Sequence, residues 1–340
     1  MENIDFVLTW VDGSDPDWLA SRRRHEGTGA APTGDAAANA DCRYRDNGLL
    51  RYWFRGVEKF APWVDRVFFV TCGQKPKWLD DANPKLRLVN HADYIPGEWL
   101  PTFHSNAIEL NLHRVAGLSE RFVLFNDDVF LLRPVTPEFF FRGGLPVLSC
   151  DLGLPRWLGS SNISRIALNN SGLLKLAMDS ERLLWRNWRK CFDIRALGIA
   201  RTAKNVASLA VNRTVVHGCF GHLALPHLKS TFAEVWRRFP AVLERTSRHK
   251  FRADDCVNQW LCAAWNLTTG RFQPANDKRL GMHVELGDGT VKGVCGAIRG
   301  GRLPQLCLND RGDAGEMARC LDEVAGAFES ILPEKSSFER

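Results

Sequence analysis

The fold class is decided by the stretch Phe122-Val123-Leu124-Phe125-Asn126-Asp127-Asp128-Val129-Phe130, in which an apolar run leads into two adjacent carboxylates. Such a run is typical of a strand that helices cover on both faces of a parallel sheet. These sheets bind ligands beyond the carboxyl ends of their strands. Two neighbouring carboxylates remain ionised there beside a divalent cation that carries a phosphate. The alternative is a solvated Asp-Asp turn.

Two further stretches repeat this pattern of an apolar strand and a polar turn. Ile4 to Val11 leads into Asp12-Gly13-Ser14-Asp15-Pro16, and Val64 to Thr71 leads into Cys72-Gly73-Gln74. A helical pattern from Asn47 to Phe60 lies between them, and strand, helix, strand implies parallel neighbours with right-handed crossovers. Although each aspartate alone also suits a turn, parallel strands would bring four of them to one sheet edge: Asp12, Asp15, Asp127 and Asp128.

The composition is that of an ordinary globular protein. The 340 residues are 45% hydrophobic and 25% charged, which suits one large α/β domain or two small ones. No apolar run reaches the roughly 18 residues of a membrane span, and the amino terminus enters a strand without a signal peptide. A cytoplasmic protein is therefore expected.

The ten cysteines form no Cys-x-x-Cys pair, which favours reduced, buried thiols over disulfides or a zinc site.

The charge pattern argues against nucleic-acid binding. The net charge is +6, and the basic clusters at Arg22-Arg23-Arg24 and Arg237-Arg238 are not interleaved with aromatic residues. Binders of single-stranded nucleic acid usually combine the two. The arginine surplus suits a phosphorylated or acidic ligand instead.

The organisation of the chain is uneven. Residues 26 to 41 are predicted to form a mobile surface loop between the first strand and the first helix. Residues 46 to 150 read as alternating α/β structure. The stretch Ser180 to Cys191 carries Trp185 and Trp188, which suit either a substrate-facing lid or the core. Further helices are predicted over Ser160–Met178, Ser230–Leu243, Asp254–Trp265 and Gly315–Leu332.

Three later stretches carry candidate functional groups. His222 and His227 lie just before a predicted helix. Asp254 or Asp255 is placed to cap the helix that follows them. Leu306-Cys307-Leu308 reads as a short apolar strand that is followed by Asn309-Asp310. This repeats the pattern of the predicted strand Phe122–Phe125, which is followed by Asn126-Asp127.

The chain resembles the Stealth family of sugar-phosphate transferases, which includes bacterial capsule-polymer enzymes and the animal N-acetylglucosamine-1-phosphotransferase of lysosomal targeting. Four blocks carry the resemblance, in the family's order and over about half the chain. The first block is Ile4 to Pro16, and the second runs from Arg45-Asp46-Asn47-Gly48 through Pro101-Thr102-Phe103 to Phe130. The third runs from His222 to about Trp260 and includes Phe251-Arg252 and Asp255. The fourth combines Cys307 to Asp310 with Leu332 to Glu339.

The resemblance implies a fold and a reaction. The fold would be α/β, Rossmann-like and of glycosyltransferase-A type, with a mostly parallel sheet and helical additions. One catalytic domain would span residues 1–340, with a nucleotide-binding core over 1–150, a variable lid or substrate segment over 151–221 and a helical part over 222–340. Members move a sugar together with its phosphate from a nucleotide-diphosphate sugar to an acceptor hydroxyl. The donor would be a UDP-sugar such as UDP-N-acetylglucosamine, and the acceptor would be a glycan of a capsule or cell-surface polysaccharide. The enzyme would associate peripherally with the export machinery at the inner membrane.

The resemblance also implies roles for single residues. Asp127 or Asp128, with Asp310, would hold Mg²⁺ or Mn²⁺ against the diphosphate. Arg252 would grip the transferred phosphate, and His222 would accept the acceptor's proton, since an imidazole titrates near neutral pH. Trp10, Asp12 and Gly13 would line the nucleotide side, Arg51 would be a second phosphate contact, and Glu109 with His113 would orient the acceptor or the metal shell. The other substrate-side residues would be Asp15, Asn126 and Asn309.

Two local departures and two rival functions remain open. His104-Ser105-Asn106 reverses the Asn-Ser-His order that relatives show, so His104 and Asn106 receive no role. His222 is favoured over His227 because a His followed at a short spacing by Pro226 resembles the bacterial members of the family. One rival is a metal-dependent glycosyltransferase that releases nucleoside diphosphate, which would need neither His222 nor Arg252. The other is an inactive module that binds glycan or nucleotide sugar, which the retained charged groups argue against.

Overall fold

The structure is a computed structural model that describes residues 3–26, 35–152, 161–178, 186–212, 220–310 and 314–340. Its strands are, in chain order, β1 (Ile4–Thr9), β2 (Val67–Thr71), β3 (Leu86–Asn90), β4 (Arg121–Asn126), β5 (Val129–Leu131), β6 (Phe141–Arg142), β7 (Leu145–Ser149), β8 (Leu225–Leu228), β9 (Gln273–Ala275), β10 (Met282–Leu286) and β11 (Gln305–Asp310).

The central sheet has five strands in the order β3-β2-β1-β4-β8. The first four are parallel, and β8 runs antiparallel to β4. A second sheet pairs β11 in parallel with β10 and antiparallel with β5, and a third places β7 between β6 and β9. The predicted α/β fold with a mostly parallel sheet is therefore confirmed.

Both faces of the central sheet are covered by hydrophobic side chains. In β1, Phe6 and Leu8 contribute to one core cluster while Val7 contributes to the other. In β4, Val123 and Phe125 alternate with their neighbours in the same way. Successive side chains of a strand point to opposite faces, so an uninterrupted apolar run requires cover on both sides.

Helices supply this cover. The α-helices of the described residues are Pro16–His25, Leu50–Phe60, Ser105–Leu110, Pro137–Phe140, Asn162–Ala177, Trp188–Cys191, Ile194–Leu197, Ile199–Asn212, Lys229–Arg238, Pro240–Arg248, Trp260–Thr269, Asp277–Leu280, Val291–Gly300 and Ala314–Ile331. Short 3₁₀ helices span Ala36–Asn39, Asp41–Tyr44, His91–Asp93, Gly97–Trp99 and Leu112–Arg114.

The carboxyl-terminal block is tied to the core through Arg55 on the helix Leu50–Phe60. Arg55 donates to Glu339 at 2.8 Å, to Glu329 at 3.0 Å and to the carbonyl of Leu332 at 2.9 Å. The side chains of Arg55 and Glu339 are both buried, and a buried guanidinium needs such partners to offset its lost hydration. In the fourth block of the family resemblance, Leu332 and Glu339 thus stabilise the fold through their contacts with Arg55.

Several sequence expectations about the amino-terminal part are corrected. The first helix, Pro16–His25, follows β1 directly, because Asp15 caps it and Pro16 opens it. The predicted mobile loop therefore does not separate strand from helix. Its described part, from residue 35, forms the two 3₁₀ helices Ala36–Asn39 and Asp41–Tyr44; residues 27–34 lie outside the described residues.

The later helices also differ from the prediction. The expected helix Ser230–Leu243 is divided in two at Pro240, which opens the second helix. The expected helix Asp254–Trp265 begins at Trp260 instead. Asp254 and Asp255 therefore cap nothing: they pair with Arg165 and Arg245. The part 222–340 is not only helical, because it also contributes β8 to β11.

Two other predicted helices and the predicted free thiols agree with the structure. The helices Asn162–Ala177 and Ala314–Ile331 match their predicted spans closely. Trp188 is half exposed and so does not belong to the core, while Trp185 lies outside the described residues. Nine cysteines in the described part are free, and seven of them are buried. No helix in that part combines the length and apolar character that a membrane crossing needs.

His227 lies in β8 and belongs to the core. Its ring packs between Phe122 and Phe232, with centroids 5.6 and 5.1 Å away. Burial lowers the pKa of His227 to about 3, so the folded protein keeps this imidazole neutral. The unfolded chain, in contrast, binds a proton there below about pH 6.5.

We expect His227→Phe to make the fold less sensitive to acid. A lowered pKa contributes stability above the pKa of the unfolded chain, and that stability is lost as the pH falls. Between pH 7 and pH 5 the wild type should lose about 2 kcal/mol more unfolding free energy than the variant. Urea unfolding of both proteins at the two pH values measures this difference. Equal losses would contradict the neutral buried imidazole.

Candidate active site

A cavity of about 540 Å³ opens beyond the carboxyl ends of β1 and β4. Thr9 and Asn126, the last residues of these strands, are paired in register, so both strands end at the same level. The side chains that follow them meet in this cavity, as parallel pairing predicts. The other walls come from 35–47, Thr102–Glu109, Ser161–Ile166, Gly221–Leu223, Arg252, Asn258–Trp260 and Leu308–Asp310.

Asp127 and Asp128 form the acidic side of the cavity. Burial, with Asp128 and Asp46 nearby, raises the pKa of Asp127 to about 8. Burial also raises the pKa of Asp128 to about 6, although a hydrogen bond from the Cys307 thiol and the charge of Arg43 partly offset this rise. Two partly buried carboxylates with raised pKa values show that negative charge is poorly compensated here.

The fit of a divalent cation depends on which oxygens are available. Oδ1 of Asp128 is buried and has no hydrogen-bond partner among the described residues. A hard cation prefers such oxygens and would hold both carboxylates ionised. Asp310 lines the same cavity but already pairs with Arg45 at 2.8 Å. Asp127 and Asp128 thus fit a cation. Asp310 accepts from Arg45 through Oδ2 alone, and it stays a predicted third ligand.

A different group of possible metal ligands is not among the residues that line the cavity. The atoms of His249, Asp255 and Cys256 all lie within 4.8 Å of one another. Asp255 is exposed and pairs with Arg245 at 2.9 Å and with His249 at 3.0 Å. These contacts already engage the group's only carboxylate, so the group lacks the uncompensated charge of Asp127 and Asp128.

Arg252 forms the basic side of the cavity. Its backbone N–H donates to Asn39 Oδ1 at 3.0 Å, and its guanidinium donates to the carbonyl of Ala38 at 3.3 Å and to Ser105 Oγ at 3.0 Å. All of these acceptors are neutral, and Arg252 has no carboxylate partner in the described part of the chain. A guanidinium held in this way is oriented but not neutralised, which suits a phosphate.

Glu109 lies near this arginine and lines the same cavity. Burial raises its pKa to about 7, although Arg252 and a hydrogen bond from Ser105 oppose the rise. Ser105 thus links Arg252 to Glu109. A carboxyl group that titrates near neutral pH can hold or move a proton.

The structure separates the two candidate imidazoles. His222 is exposed and lines the cavity, whereas His227 is buried in β8. The His222 ring lies between Trp260 and His283, with centroids 5.9 and 4.8 Å away. Of the two, His222 alone reaches the substrate space.

Other predicted substrate residues also line the cavity. Trp10 is buried, stacks on Phe69 with centroids 5.6 Å apart, and donates from Nε1 to Asp46 at 3.4 Å. Asn126 is the last residue of β4, Asn309 is the last but one of β11, and both line the same cavity. Their predicted contacts with the substrate stay predictions.

The turn after β1 does not line the main cavity. Its predicted site residues, Asp12, Gly13 and Asp15, form hydrogen bonds within the turn, to Tyr44 and at the start of the first helix. Asp12 accepts from the backbone and hydroxyl of Ser14 at 2.9 and 2.6 Å, and Asp15 caps the first helix. The Gly13 N–H donates to the carbonyl of Tyr44 at 2.8 Å. A Cβ on Gly13 would lie 2.2 Å from that oxygen, so glycine permits this close approach. Asp15 lines a smaller neighbouring pocket.

Two further predicted residues also lie away from the main cavity. The guanidinium of Arg51 lies over the ring of Trp78, 5.6 Å from its centroid. His113 is in the 3₁₀ helix after Glu109 and packs on Phe232 and Trp236. Glu109 and His113 therefore do not share a helix face, because the α-helix ends at Leu110.

Sequence reasoning missed several cavity residues. Arg43 and Arg45 line it, and Asp46 acts on Asp127 electrostatically. His104 and Asn106, left without a role, line it too; the Nδ2 group of Asn106 is buried without an acceptor among the described residues. The signal that the sequence did offer was the family block that begins at Arg45-Asp46, although neither residue received a role from it.

Three sequence models of one family match this chain. Stealth protein conserved region 1 matches residues 2–29, conserved region 2 matches 43–146 and conserved region 3 matches 221–261. The chain belongs to the Stealth family. The matched regions supply most of the cavity wall, while Asn309 and Asp310 lie outside them.

Curated relatives of this Stealth protein are similar over their whole length. It is 39% identical to the capsular polysaccharide phosphotransferase WcwK of Streptococcus pneumoniae and 38% identical to the receptor polysaccharide phosphotransferase WefC of Streptococcus oralis, with 100% of each chain covered. It is 34% identical to the exopolysaccharide phosphotransferase cps2G of Lactiplantibacillus plantarum, over 99% of this chain and 96% of the relative.

Solved structures offer a more distant comparison. The galactosyltransferase LgtC, in complex with donor and acceptor sugar analogues, aligns with a TM-score of 0.42 and 13% identity over 98% of both chains.

Proposed function

We propose that this Stealth protein transfers a sugar-1-phosphate from a nucleotide-diphosphate sugar to a hydroxyl of a glycan acceptor during capsule or cell-surface polysaccharide synthesis. The observation that carries the proposal is the presence, in one cavity, of under-compensated carboxylates and of Arg252, which forms no ion pair with a carboxylate among the described residues. A bound cation and a phosphate would satisfy both. The names of the relatives, polysaccharide phosphotransferases, support the same reaction class.

Each group has a place in the proposed reaction. The acceptor oxygen attacks the phosphorus that carries the sugar, and the bond from that phosphorus to the bridging oxygen breaks, so nucleoside monophosphate leaves. Arg252 binds the transferred phosphate and compensates its charge. His222 accepts the proton of the acceptor hydroxyl. Mg²⁺ or Mn²⁺, held by Asp127 and Asp128, would neutralise the diphosphate.

The remaining roles follow from position in the cavity. Trp10 offers an aromatic face to the donor, and Asn126 and Asn309 offer amide groups to its polar atoms. Glu109 orients Arg252 through Ser105 and borders the acceptor side. We propose a UDP-sugar as the donor and the cytoplasmic side of the membrane as the place of action.

The products of the reaction test this proposal. The purified protein is incubated with Mg²⁺ or Mn²⁺, a panel of nucleotide sugars and a short polysaccharide acceptor, and the released nucleotide is identified. Nucleoside monophosphate that forms in step with an acceptor phosphodiester supports sugar-1-phosphate transfer. Nucleoside diphosphate would instead identify a glycosyltransferase and remove the roles of His222 and Arg252. Donor binding without any product would identify an inactive binding module.

His222 and Glu109 are both placed to take the acceptor proton, and substitution separates them. We expect His222→Gln to lower turnover about a hundredfold, the usual scale of general-base catalysis. Glu109→Gln, which removes only the orientation of Arg252, should lower turnover less and leave the acidic limb of the pH profile unchanged, because protonation of the general base causes that limb. Initial rates across pH 6 to 9 measure both effects. A larger loss in Glu109→Gln would reverse the assignment of the base.

A further inference from the structure

The segment 35–44, called the strap below, contributes one wall of the cavity. At its start, Asp35 Oδ2 accepts the backbone N–H of Asn162 at 2.9 Å. At its end, the hydroxyl of Tyr44 donates to the carbonyl of Phe103 at 2.8 Å. These bonds hold both ends of the strap against the rest of the fold, so the position of its middle residues is defined.

The side chain of Asn39, in the middle of the strap, binds the backbone of Arg252 at two points. Its Oδ1 accepts the N–H of Arg252 at 3.0 Å, and its Nδ2 donates to the carbonyl of Arg252 at 3.1 Å. Arg252 lies in neither a helix nor a strand, and backbone groups outside such elements need partners from side chains or water. Asn39 supplies both partners from 213 positions away.

The strap also contacts the other end of Arg252. The guanidinium donates to the carbonyl of Ala38, the residue before Asn39, at 3.3 Å, and to Ser105 Oγ at 3.0 Å. Asn39 therefore fixes where the Arg252 backbone lies, whereas Ala38 and Ser105 fix where its guanidinium points. Asn39 itself is not among the described residues that line the cavity, so it acts on a ligand there only through Arg252.

We propose that Asn39 is a positioning residue that holds Arg252 in place to bind a diphosphate in the cavity. The fork of a guanidinium meets two phosphate oxygens at once, which demands an accurate position of the whole side chain. The inference rests on the proposed function through the role of Arg252. Asn39 lies outside the three matched family regions and in a stretch that the sequence predicts as a mobile loop, so neither source marks it.

A purely structural role of Asn39 is the alternative, and a double-mutant cycle with Arg252 separates the two roles. The hydrogen bonds of Asn39 go to the backbone, so their loss lowers the stability of the fold whether or not the arginine side chain is present. The loss of positioning, in contrast, affects a ligand only while the guanidinium is present. The effects of the two substitutions should thus add in stability but not in ligand affinity.

The experiment titrates the full chain with inorganic pyrophosphate in the presence of Mg²⁺ and follows the heat of binding. The proteins are the wild type, Asn39→Ala, Arg252→Ala and the double variant, and thermal unfolding of the same preparations reports stability. Asn83→Ala is the matched control. Asn83 also accepts a backbone N–H, from Lys85 at 2.9 Å, and donates to a backbone carbonyl, that of Ser337 at 2.9 Å, but it does not line the cavity.

We expect Arg252→Ala to weaken pyrophosphate binding at least about tenfold, because charge-assisted hydrogen bonds are lost. Asn39→Ala should weaken binding about fivefold in the wild-type background and less than about twofold in the Arg252→Ala background. Asn39→Gln carries the same amide on a longer side chain and should recover part of the affinity. Asn83→Ala should bind pyrophosphate as the wild type does.

Equal weakening by Asn39→Ala with and without the Arg252 side chain would overturn the proposal and leave Asn39 a structural role. An unchanged affinity in Asn39→Ala, or no binding of pyrophosphate by the wild type, would overturn it as well. The reaction products are a separate result. Release of nucleoside diphosphate together with an intact coupling would remove the proposed transfer but support the positioning of Arg252, whereas release of nucleoside monophosphate without coupling would overturn the role of Asn39 alone.

Discussion

Arg252→Ala should lower turnover at least about a hundredfold while leaving the protein folded. The guanidinium would lie against the phosphate in the transition state, and removal of one such charge-stabilising group typically costs about 10²- to 10³-fold. Its contacts to Ala38 and Ser105 are neutral hydrogen bonds at the cavity wall, so their loss costs little stability. Rates of nucleoside monophosphate release and thermal unfolding of the same preparations measure the two effects.

Two companion variants make this result specific. Arg252→Lys keeps the charge but loses the fork-shaped donor set, so an intermediate rate is expected. Arg245→Ala removes an arginine that pairs with Asp255 outside the cavity, and it should turn over at nearly the wild-type rate. A near-wild-type rate in Arg252→Ala, or an equal loss in Arg245→Ala, would remove Arg252 from the reaction.

The central sheet was predictable because its pattern is local. The uninterrupted apolar runs of β1 and β4 require cover on both faces, and parallel pairing then places the residues after them at one edge. Asp127 and Asp128 were located by this reasoning. The edge strand β8 was missed, because Leu225–Leu228 is only four residues long and contains Pro226, which suits an edge but reads as a break.

Contacts that the sequence pattern does not show engage several of the predicted site residues. Asp12 and Asp15 follow a strand as Asp127 does, but a turn and a helix start use their oxygens. Asp310 echoes Asp127 in sequence, yet Arg45 engages it from 265 positions away. The choice between His222 and His227 depended on a short loop in the sequence, and the structure separates them because His227 lies in β8 while His222 precedes that strand.

The carboxylate pair gives the other large expected effect. Asp128→Asn keeps the shape of the side chain and removes the charge that would hold the cation, so turnover should fall at least about a hundredfold. The variant should also lose metal-dependent stabilisation, because an ion that binds only the folded state raises its unfolding temperature. Thermal unfolding with and without Mg²⁺ or Mn²⁺ measures this second effect independently of activity.

The control for Asp128 is another aspartate just beyond a strand end. Asp288 follows β10, is exposed, and pairs with Arg319 at 3.3 Å outside the cavity. Asp288→Asn should keep both turnover and the shift in unfolding temperature that metal causes. Asp310→Asn should have an intermediate effect, since Arg45 already engages that carboxylate in the metal-free protein. Full stabilisation of Asp128→Asn by metal would place the cation elsewhere.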